Sequence, residues 1–121
     1  MSKLILVVED QEDNRRILRD LLTNSGYEVI EAVNGLEGVS SAETFRPDLI
    51  LMDIQLPGID GYEATRRIKA NPNLQKIPII VVTSYALSGD DVKAFEAGCD
   101  AYVAKPFIPR ELLAKIREYL P

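Results

Sequence analysis

The stretch LILMDIQLPGIDGYE, from Leu49 to Glu63, decides the fold of this chain. Its first four residues are apolar, and they are followed by Asp53 and then by the turn-forming pair Pro57-Gly58. A short apolar run bounded by residues that break regular structure is typical of a buried strand. A carboxylate at the point where such a strand leaves the core lies at the edge where open α/β sheets bind their ligands. The stretch therefore predicts a strand that delivers an acid to a site.

Apolar runs of this kind recur along the chain, and segments of helical period separate them. Four of the five runs are rich in Val, Ile and Leu without clean alternation, as expected of parallel strands that are covered on both faces. The five predicted strands are Leu4–Val8, Glu28–Ala32, Leu49–Met52, Ile79–Thr83 and Ala101–Ala104. Strands that alternate with helices imply five βα units and right-handed crossovers. We therefore expect an α/β fold built on a doubly wound five-stranded parallel sheet.

Apolar stripes, capping residues and glycines mark the predicted helices. The first and last helices carry stripes at helical spacing, formed by Ile17, Leu18, Leu21 and Leu22 and by Leu112, Leu113, Ile116 and Leu120. The other helices begin with an acceptor that an acid follows three residues later, as in a capping box: Asn34 with Glu37, Asp60 with Glu63, and Ser88 with Asp91. Gly98 is expected at a helix end. The segment Asn71–Pro78 contains two prolines and is expected to be a surface loop.

The composition excludes several classes of function. The 121 residues include 14 Lys and Arg, 19 Asp and Glu, and no histidine, which gives a formal charge of −5. The basic residues are scattered, so direct nucleic-acid binding is not expected. The pair Arg15-Arg16 is interpreted as a solvated helix face, with a contribution to partner docking as the alternative. A histidine-based catalytic triad and a histidine-ligated zinc site are both excluded. Cys99 is the only cysteine and is interpreted as a small buried hydrophobe.

No apolar run is long enough to span a membrane, and acids interrupt the first run too early for a signal peptide. We therefore expect a cytoplasmic protein without membrane insertion.

Five polar residues are expected to converge, because every loop that follows a strand of a parallel sheet emerges at the same edge. Glu9 and Asp10 follow the first strand, Asp53 follows the third, Thr83 ends the fourth, and Lys105 follows the fifth. One lysine cannot neutralise three carboxylates, so a divalent cation is the natural complement, and an all-oxygen site favours Mg²⁺. A carboxylate can act as a nucleophile and form an acyl phosphate. The metal, the lysine and the hydroxyl would then position and neutralise a phosphoryl group.

The motifs VVED, LILMDIQLPGIDGYE, IIVVTS and AYVAKPF, in this order, resemble the receiver domain of two-component response regulators. The gaps also agree with the family: 43 positions from Asp10 to Asp53, 30 from Asp53 to Thr83, and 22 from Thr83 to Lys105. The resemblance implies a flavodoxin-like sheet of strand order 2-1-3-4-5. It also implies a single receiver domain over residues 1–121.

The resemblance assigns the acids of the expected site. Asp53 matches the phosphoacceptor and is also expected in the metal site. Asp10 matches the acid that binds Mg²⁺ directly, and Glu9 matches the outer acid, which acts on the metal mainly through water. The backbone carbonyl of Gln55 matches a further metal ligand.

The resemblance also assigns residues around the phosphoryl group. Thr83 and Lys105 match the hydroxyl and the ammonium that contact the phosphoryl oxygens. Tyr102 matches the aromatic residue whose rotamer follows the Thr83 hydroxyl, so these two residues form the expected switch. Pro106 matches the proline after the lysine, where the family usually has a cis peptide bond. The side chains of Gln55 and Tyr85 are expected to flank the path along which water attacks the acyl phosphate.

The function implied is that of a stand-alone phosphoacceptor switch, similar to the chemotaxis regulators, rather than an enzyme. The expected donor is a phosphohistidine of a histidine kinase or of a histidine phosphotransfer protein. Output would be altered binding to a downstream protein or onward transfer in a phosphorelay, by a monomer or weak dimer. An aspartate-nucleophile phosphatase would need an acid two residues after Asp53, where Gln55 stands. A degenerate, unphosphorylated interaction module is the remaining alternative, and the retention of all the site residues argues against it.

Overall fold

A computed structural model describes residues 2–83 and 90–121, with only the backbone of Asp90. Strands and helices alternate along these residues. The strands are β1 Leu4–Val8, β2 Glu28–Ala32, β3 Leu49–Met52, β4 Ile79–Thr83 and β5 Ala101–Ala104. The helices are α1 Glu12–Asn24, α2 Gly35–Phe45, α3 Gly61–Ala70, α4 Asp90–Ala97 and α5 Pro109–Tyr119. The five predicted strands are confirmed residue for residue. No helix in the described part of the chain has the length and apolar character needed to cross a membrane.

The strands form one parallel sheet in the order β2-β1-β3-β4-β5, which confirms the expected doubly wound arrangement. The first strand lies between β2 and β3, and β4 and β5 follow on the far side of β3. Because all five strands run in the same direction, their carboxyl ends meet at one edge of the sheet. This edge is called the carboxyl edge below, and the opposite one is called the amino edge.

Successive side chains of a strand point into two different apolar layers. Leu6 and Val8 of β1 pack in the layer covered by α2, α3 and α4, whereas Ile5 and Val7 pack in the layer covered by α1 and α5. This alternation follows from the period of two in a strand. Burial of each such side chain stabilises the fold by roughly 1.5–3 kcal/mol. The carboxyl edge is therefore supported by two closely packed layers.

Two helices begin at the predicted capping residues. The side chain of Asn34 accepts a hydrogen bond from the N–H of Glu37 at 2.8 Å, and Asp60 accepts one from the N–H of Glu63 at 2.9 Å. In a capping box the acid also accepts a hydrogen bond from the N–H of the capping residue, but here both acids bind other donors. Glu37 accepts from the N–H of Val33 at 3.3 Å, and the carboxylate of Glu63 binds two arginines of its own helix. Each acid therefore finds a donor other than the capping residue's N–H.

The remaining local predictions have mixed outcomes. Gly98 ends α4 with φ 108°, and burial raises the pKa of the adjacent Cys99 thiol to about 11, as expected of a buried hydrophobe. The segment Asn71–Pro78 is a loop as predicted, but Leu74 within it is only 1% exposed and packs in the layer below α3. The capping box predicted at Ser88 begins outside the described residues.

Candidate functional site

The loops that follow β1 and β3 bring the three predicted acids together at the carboxyl edge. Backbone hydrogen bonds continue the sheet beyond the strand ends: Glu9 N–H donates to Ala32 O, and Asp53 N–H donates to Val8 O, both at 3.0 Å. As a result, carboxylate oxygens of Glu9, Asp10 and Asp53 lie within 4.8 Å of one another. The sheet thus holds three like charges in close proximity, as the sequence predicted.

The acids face an open polar cavity of about 420 Å³. Asp10 is exposed to solvent, whereas Glu9 is only 1% exposed. A water molecule takes up about 30 Å³ in the liquid, so the cavity has room for a hydrated cation and a phosphoryl group. The residues that line it are Glu9, Asp10, Gln11, Asn14, Asp53, Gln55 and Lys105.

Lys105 follows β5 at the carboxyl edge and places a positive charge close to the acids. Its backbone N–H donates to Thr83 O at 2.7 Å, and its peptide bond to Pro106 is cis, as the resemblance implied. The ammonium lies 2.7 Å from Glu9 Oε1 and 3.9 Å from Asp53 Oδ2. Lys105 therefore pairs first with Glu9 and balances only part of the charge of the three acids.

The three carboxyl groups respond differently to this arrangement. Burial raises the pKa of Asp53 to about 6; Lys105 opposes this rise, and the Glu9 carboxylate adds to it. Burial favours a higher pKa for Glu9 as well. Hydrogen bonds from Lys105 and the Gln11 N–H outweigh this effect and hold the pKa of Glu9 below its usual range. Desolvation, and then the neighbouring Glu9, raise the pKa of Asp10. The site therefore carries more negative charge than its lysine stabilises.

The loop after β3 is shaped by two glycines of the PGIDG motif. Gly58 has φ 78°, in the left-handed region that favours glycine. α3 begins at Gly61, where a Cβ would overlap the carbonyl oxygen of Asp53. The Ile54 N–H donates to Asp53 Oδ1 at 2.8 Å, and the Gly61 N–H donates to Ile54 O at 2.8 Å. Close packing of α3 thus holds the backbone at the strand end, and the Ile54 N–H orients the Asp53 carboxylate.

The two residues of the expected switch lie on the same face of the sheet. Thr83, the last residue of β4, is 1% exposed and pairs in register with Ala104. Tyr102 precedes Ala104 by two positions, so it shares that face. It is half-buried against the layer covered by α2, α3 and α4. Tyr85, expected beside the path of the hydrolytic water, lies outside the described residues.

One arginine that the sequence assigned to a solvated face contacts the site instead. Arg15 Nη1 donates to the carbonyl oxygens of Glu9 and Asp10, both at 3.0 Å. Its Nε lies 3.4 Å from Glu31 Oε1 on β2. The interpretation of Arg15 as solvated is therefore wrong, whereas Arg16 is exposed and pairs with Asp13 on its own helix. Backbone carbonyl groups are present at every residue, so the sequence does not show which of them a side chain will bind. The available signal was the position of Arg15, about one helical turn after the acids.

The chain matches a known family over most of its length. The family model described as the response regulator receiver domain matches residues 5–117. The chain is similar to the polar-differentiation response regulator DivK of Brucella anthropi, with 45% identity over 120 residues that cover 99% of this chain and 98% of the relative.

Solved structures with the same fold are also known. A putative response regulator from Chloroflexus aurantiacus superposes with a TM-score of 0.95 at 33% identity, covering 99% of this chain and 98% of that one. The receiver domain of a sensor histidine kinase from Pseudomonas aeruginosa superposes with a TM-score of 0.93 at 41% identity over the same shares, and its structure has a magnesium ion coordinated in the active site cleft. Together with the strand order and the converging acids, these matches show that the chain belongs to the receiver domain family of response regulators.

Proposed function

We propose that this chain acts as a single receiver domain over residues 1–121 and is phosphorylated on Asp53. Receiver domains accept phosphoryl groups from histidine kinases and act on downstream partners as signalling switches. The observation that carries the assignment to Asp53 is the convergence of three carboxylates on one cavity within 4.8 Å. Of the three, Asp53 follows the central strand β3, and its carboxylate accepts a hydrogen bond from the Ile54 N–H at 2.8 Å.

Mg²⁺ fits the donor set at the carboxyl edge. The donors are oxygen atoms, and three carboxylates face the single ammonium of Lys105, so a divalent cation would complete the charge. We assign Asp10 as the direct ligand because it is exposed at the cavity, and Glu9 as the outer acid because Lys105 engages its carboxylate. The backbone carbonyl of Gln55 is assigned as a further ligand. When bound, the ion would supply positive charge to the carboxylates and to the phosphoryl oxygens.

The reaction requires one covalent exchange at phosphorus. An oxygen of ionised Asp53 forms a bond to phosphorus while the bond from phosphorus to the donor's imidazole nitrogen breaks, and the electron pair of that bond leaves with the imidazole. A pKa of about 6 leaves Asp53 largely ionised at neutral pH. Lys105 is 3.9 Å from Asp53, so a small movement away from Glu9 would bring its ammonium onto the phosphoryl oxygens. The Thr83 hydroxyl is assigned to a further phosphoryl oxygen.

An apolar cleft beside the acidic cavity offers a place for the donor. The cleft has a volume of about 350 Å³, lies between α1 and the segment after β5, and shares Asn14 and Lys105 with the cavity. Ile17, 55% exposed, and Phe107 are among the residues that line it. We propose that a phosphohistidine-bearing helix of a histidine kinase or a histidine phosphotransfer protein packs here. The downstream target is proposed to be a protein, and the setting a cytoplasmic two-component system or phosphorelay, with the chain a monomer or weak dimer.

A labelling experiment tests the assignment of Asp53. Incubation with phosphoramidate and Mg²⁺ should add one phosphoryl group, measured by intact-protein mass spectrometry, and Asp53→Asn should abolish the addition. Asp60→Asn is the matched control, because Asp60 lies in the same loop and asparagine caps a helix as well as aspartate does. Unchanged labelling of Asp53→Asn would contradict the proposal, as would equal losses in the two variants.

A further inference from the structure

We infer that Arg15 is a positioning residue of the acidic site, which holds the loop after β1 in the conformation that binds the metal. The inference rests on the Mg²⁺-dependent function proposed above. It goes beyond the site residues themselves, because Arg15 contributes no oxygen ligand and acts on the acids through their backbone.

The two carbonyl groups that Arg15 binds belong to the peptide groups on either side of Asp10. Each peptide group is planar, so holding both planes leaves little freedom in the two backbone dihedral angles of Asp10. Arg15 Nη1 donates to both carbonyl oxygens at 3.0 Å. The direction of the Asp10 side chain from the backbone is thereby fixed. This matters because Asp10 is exposed to solvent, so its side chain depends on the backbone for its direction more than a buried acid would.

Arg15 is itself held in place at both ends. Its backbone N–H donates to Gln11 O at 3.0 Å in the first turn of α1, and the side chain then folds back over the loop. Glu31 on β2 binds its guanidinium at 3.4 Å, and the Arg15 side chain is only 16% exposed. The same Glu31 binds Arg19 at 3.0 Å, one turn further along α1. The loop is therefore connected through Arg15 to a neighbouring strand.

Two effects of Arg15 on a cation have opposite signs. Its positive charge repels Mg²⁺, so if charge dominated, removal of Arg15 would strengthen binding. Its hydrogen bonds hold the Asp10 backbone, so if position dominates, removal weakens binding. Glu31, which Arg15 shares with Arg19, offsets part of the charge of the guanidinium, and the guanidinium binds the loop directly through two hydrogen bonds. Both observations favour position as the larger effect. Residues that orient metal ligands typically change affinity by about 10- to 100-fold when they are replaced.

The test compares Arg15→Met with Arg15→Lys and Arg19→Met in the unphosphorylated protein. Mg²⁺ affinity is measured by calorimetric titration, and the free energy of unfolding by urea denaturation. We expect about tenfold weaker Mg²⁺ binding in Arg15→Met and a partial rescue in Arg15→Lys, which restores the charge and a donor. Arg19→Met removes the same charge and a partner of the same Glu31 without touching the loop, so its Mg²⁺ affinity should equal that of the wild type.

Mg²⁺ binding in Arg15→Met that equals or exceeds that of the wild type would overturn the inference. Equal losses in Arg15→Met and Arg19→Met would also overturn it, because the effect would then come from α1 as a whole. If Arg15→Met does not fold, Arg15→Lys decides alone: an affinity equal to the wild type's overturns the inference, and a loss absent from Arg19→Met supports it. A wild-type protein that neither binds Mg²⁺ nor accepts a phosphoryl group refutes the proposed function as well.

Discussion

Two lysines at opposite edges of the sheet show how a functional site differs from a structural ion pair. Lys69 at the amino edge and Lys105 at the carboxyl edge are similarly enclosed, with 16% and 17% of their side chains exposed. Lys69 binds Asp100 at 2.9 Å and the carbonyl oxygens of Gln75 and Ile77 at 3.0 and 2.8 Å. One acid and two neutral acceptors thus meet one ammonium, and the charges balance.

The carboxyl edge has the same kind of lysine but an excess of acid. Lys105 lies 2.7 Å from Glu9 and 3.9 Å from Asp53, and Asp10 completes a group of three carboxylates. The two lysines are similarly buried, but Glu9 and Asp53 are only 2% and 11% exposed against 35% for Asp100. An excess of buried acid over its lysine is therefore what marks the site. Such an arrangement lowers the stability of the fold and is retained where chemistry requires it.

The largest expected difference comes from replacing each lysine by methionine. Lys105→Met should slow phosphorylation of Asp53 by about 100-fold or more, since it removes a charge that stabilises the transferring group. Lys69→Met should leave the rate unchanged but lower the free energy of unfolding by about 2 kcal/mol, because Asp100 and two carbonyls lose their donor. The measurements are the rate of labelling by phosphoramidate and urea denaturation.

Addition of Mg²⁺ to the two lysine variants provides a second test of the difference between the edges. A divalent cation can replace the missing charge at the carboxyl edge, so Mg²⁺ should restore stability to Lys105→Met. We propose no cation site at the amino edge, so Mg²⁺ should do nothing for Lys69→Met beyond its effect on the wild type. A loss of labelling in Lys69→Met as large as in Lys105→Met would contradict the distinction between the two edges.

The raised pKa of Asp53 predicts that stability depends on pH. Its pKa is about 6 in the folded chain against an ordinary 3.8, so the native state binds this proton more tightly than the unfolded state does. Stability should therefore fall as pH rises from about 4 to 6, by on the order of 2 kcal/mol in all, and the loss should be complete above that range. Asp53→Asn should remove this loss and be more stable than the wild type at neutral pH.

Urea denaturation without Mg²⁺ at several pH values measures this effect. The lowered pKa of Glu9 acts in the opposite sense, because its contribution is lost only as pH falls below the ordinary value of 4.5. Between about pH 4.5 and 6 the fall in stability therefore comes from Asp53 together with Asp10, whose pKa is also raised, and the difference between wild type and Asp53→Asn gives the share of Asp53. Asp100→Asn serves as the control and should lose stability, since Asp100 accepts from Lys69 and from the Ile79 N–H at 2.8 Å. Parallel curves for wild type and Asp53→Asn would refute the prediction.

The sequence predicted those features that depend on local pattern. The strands and the convergence of Glu9, Asp10 and Asp53 follow from apolar runs and from the shared edge of a parallel sheet. Leu74 was assigned to a surface loop because its burial depends on a layer built by distant residues. Arg15 was missed because its acceptors are backbone carbonyls, which every residue possesses.

A smaller effect is expected when the two outer acids are compared. Asp10→Asn should weaken Mg²⁺ binding by about tenfold or more, because it removes the exposed acid assigned as the direct ligand. Glu9→Gln should cost only a few-fold, because Lys105 rather than the cavity holds the Glu9 carboxylate. Calorimetric titration of the unphosphorylated variants measures both. Equal or reversed losses would contradict the assignment of the two roles.

The smallest expected effect is the movement of the switch. A phosphoryl group on Asp53 should draw the Thr83 hydroxyl toward its oxygens and open space on the face of the sheet that Tyr102 shares. Thr83 is buried at the end of β4, so such a movement must be accommodated by its neighbours. Phosphorylation would thereby bias a two-state element formed by α4, β5 and α5.

Amide chemical shifts test this route and return to the comparison of the two edges. On phosphorylation, shifts should change from Ala101 to Phe107, and those of Lys69 and Asp100 at the amino edge should change least. Thr83→Ala should lose the changes along β5, since it has no hydroxyl to be drawn inward. Thr83→Ser, which keeps the hydroxyl, should retain them. Changes confined to the loops after β1 and β3, or identical changes in Thr83→Ala and the wild type, would show that the phosphoryl group acts by another path.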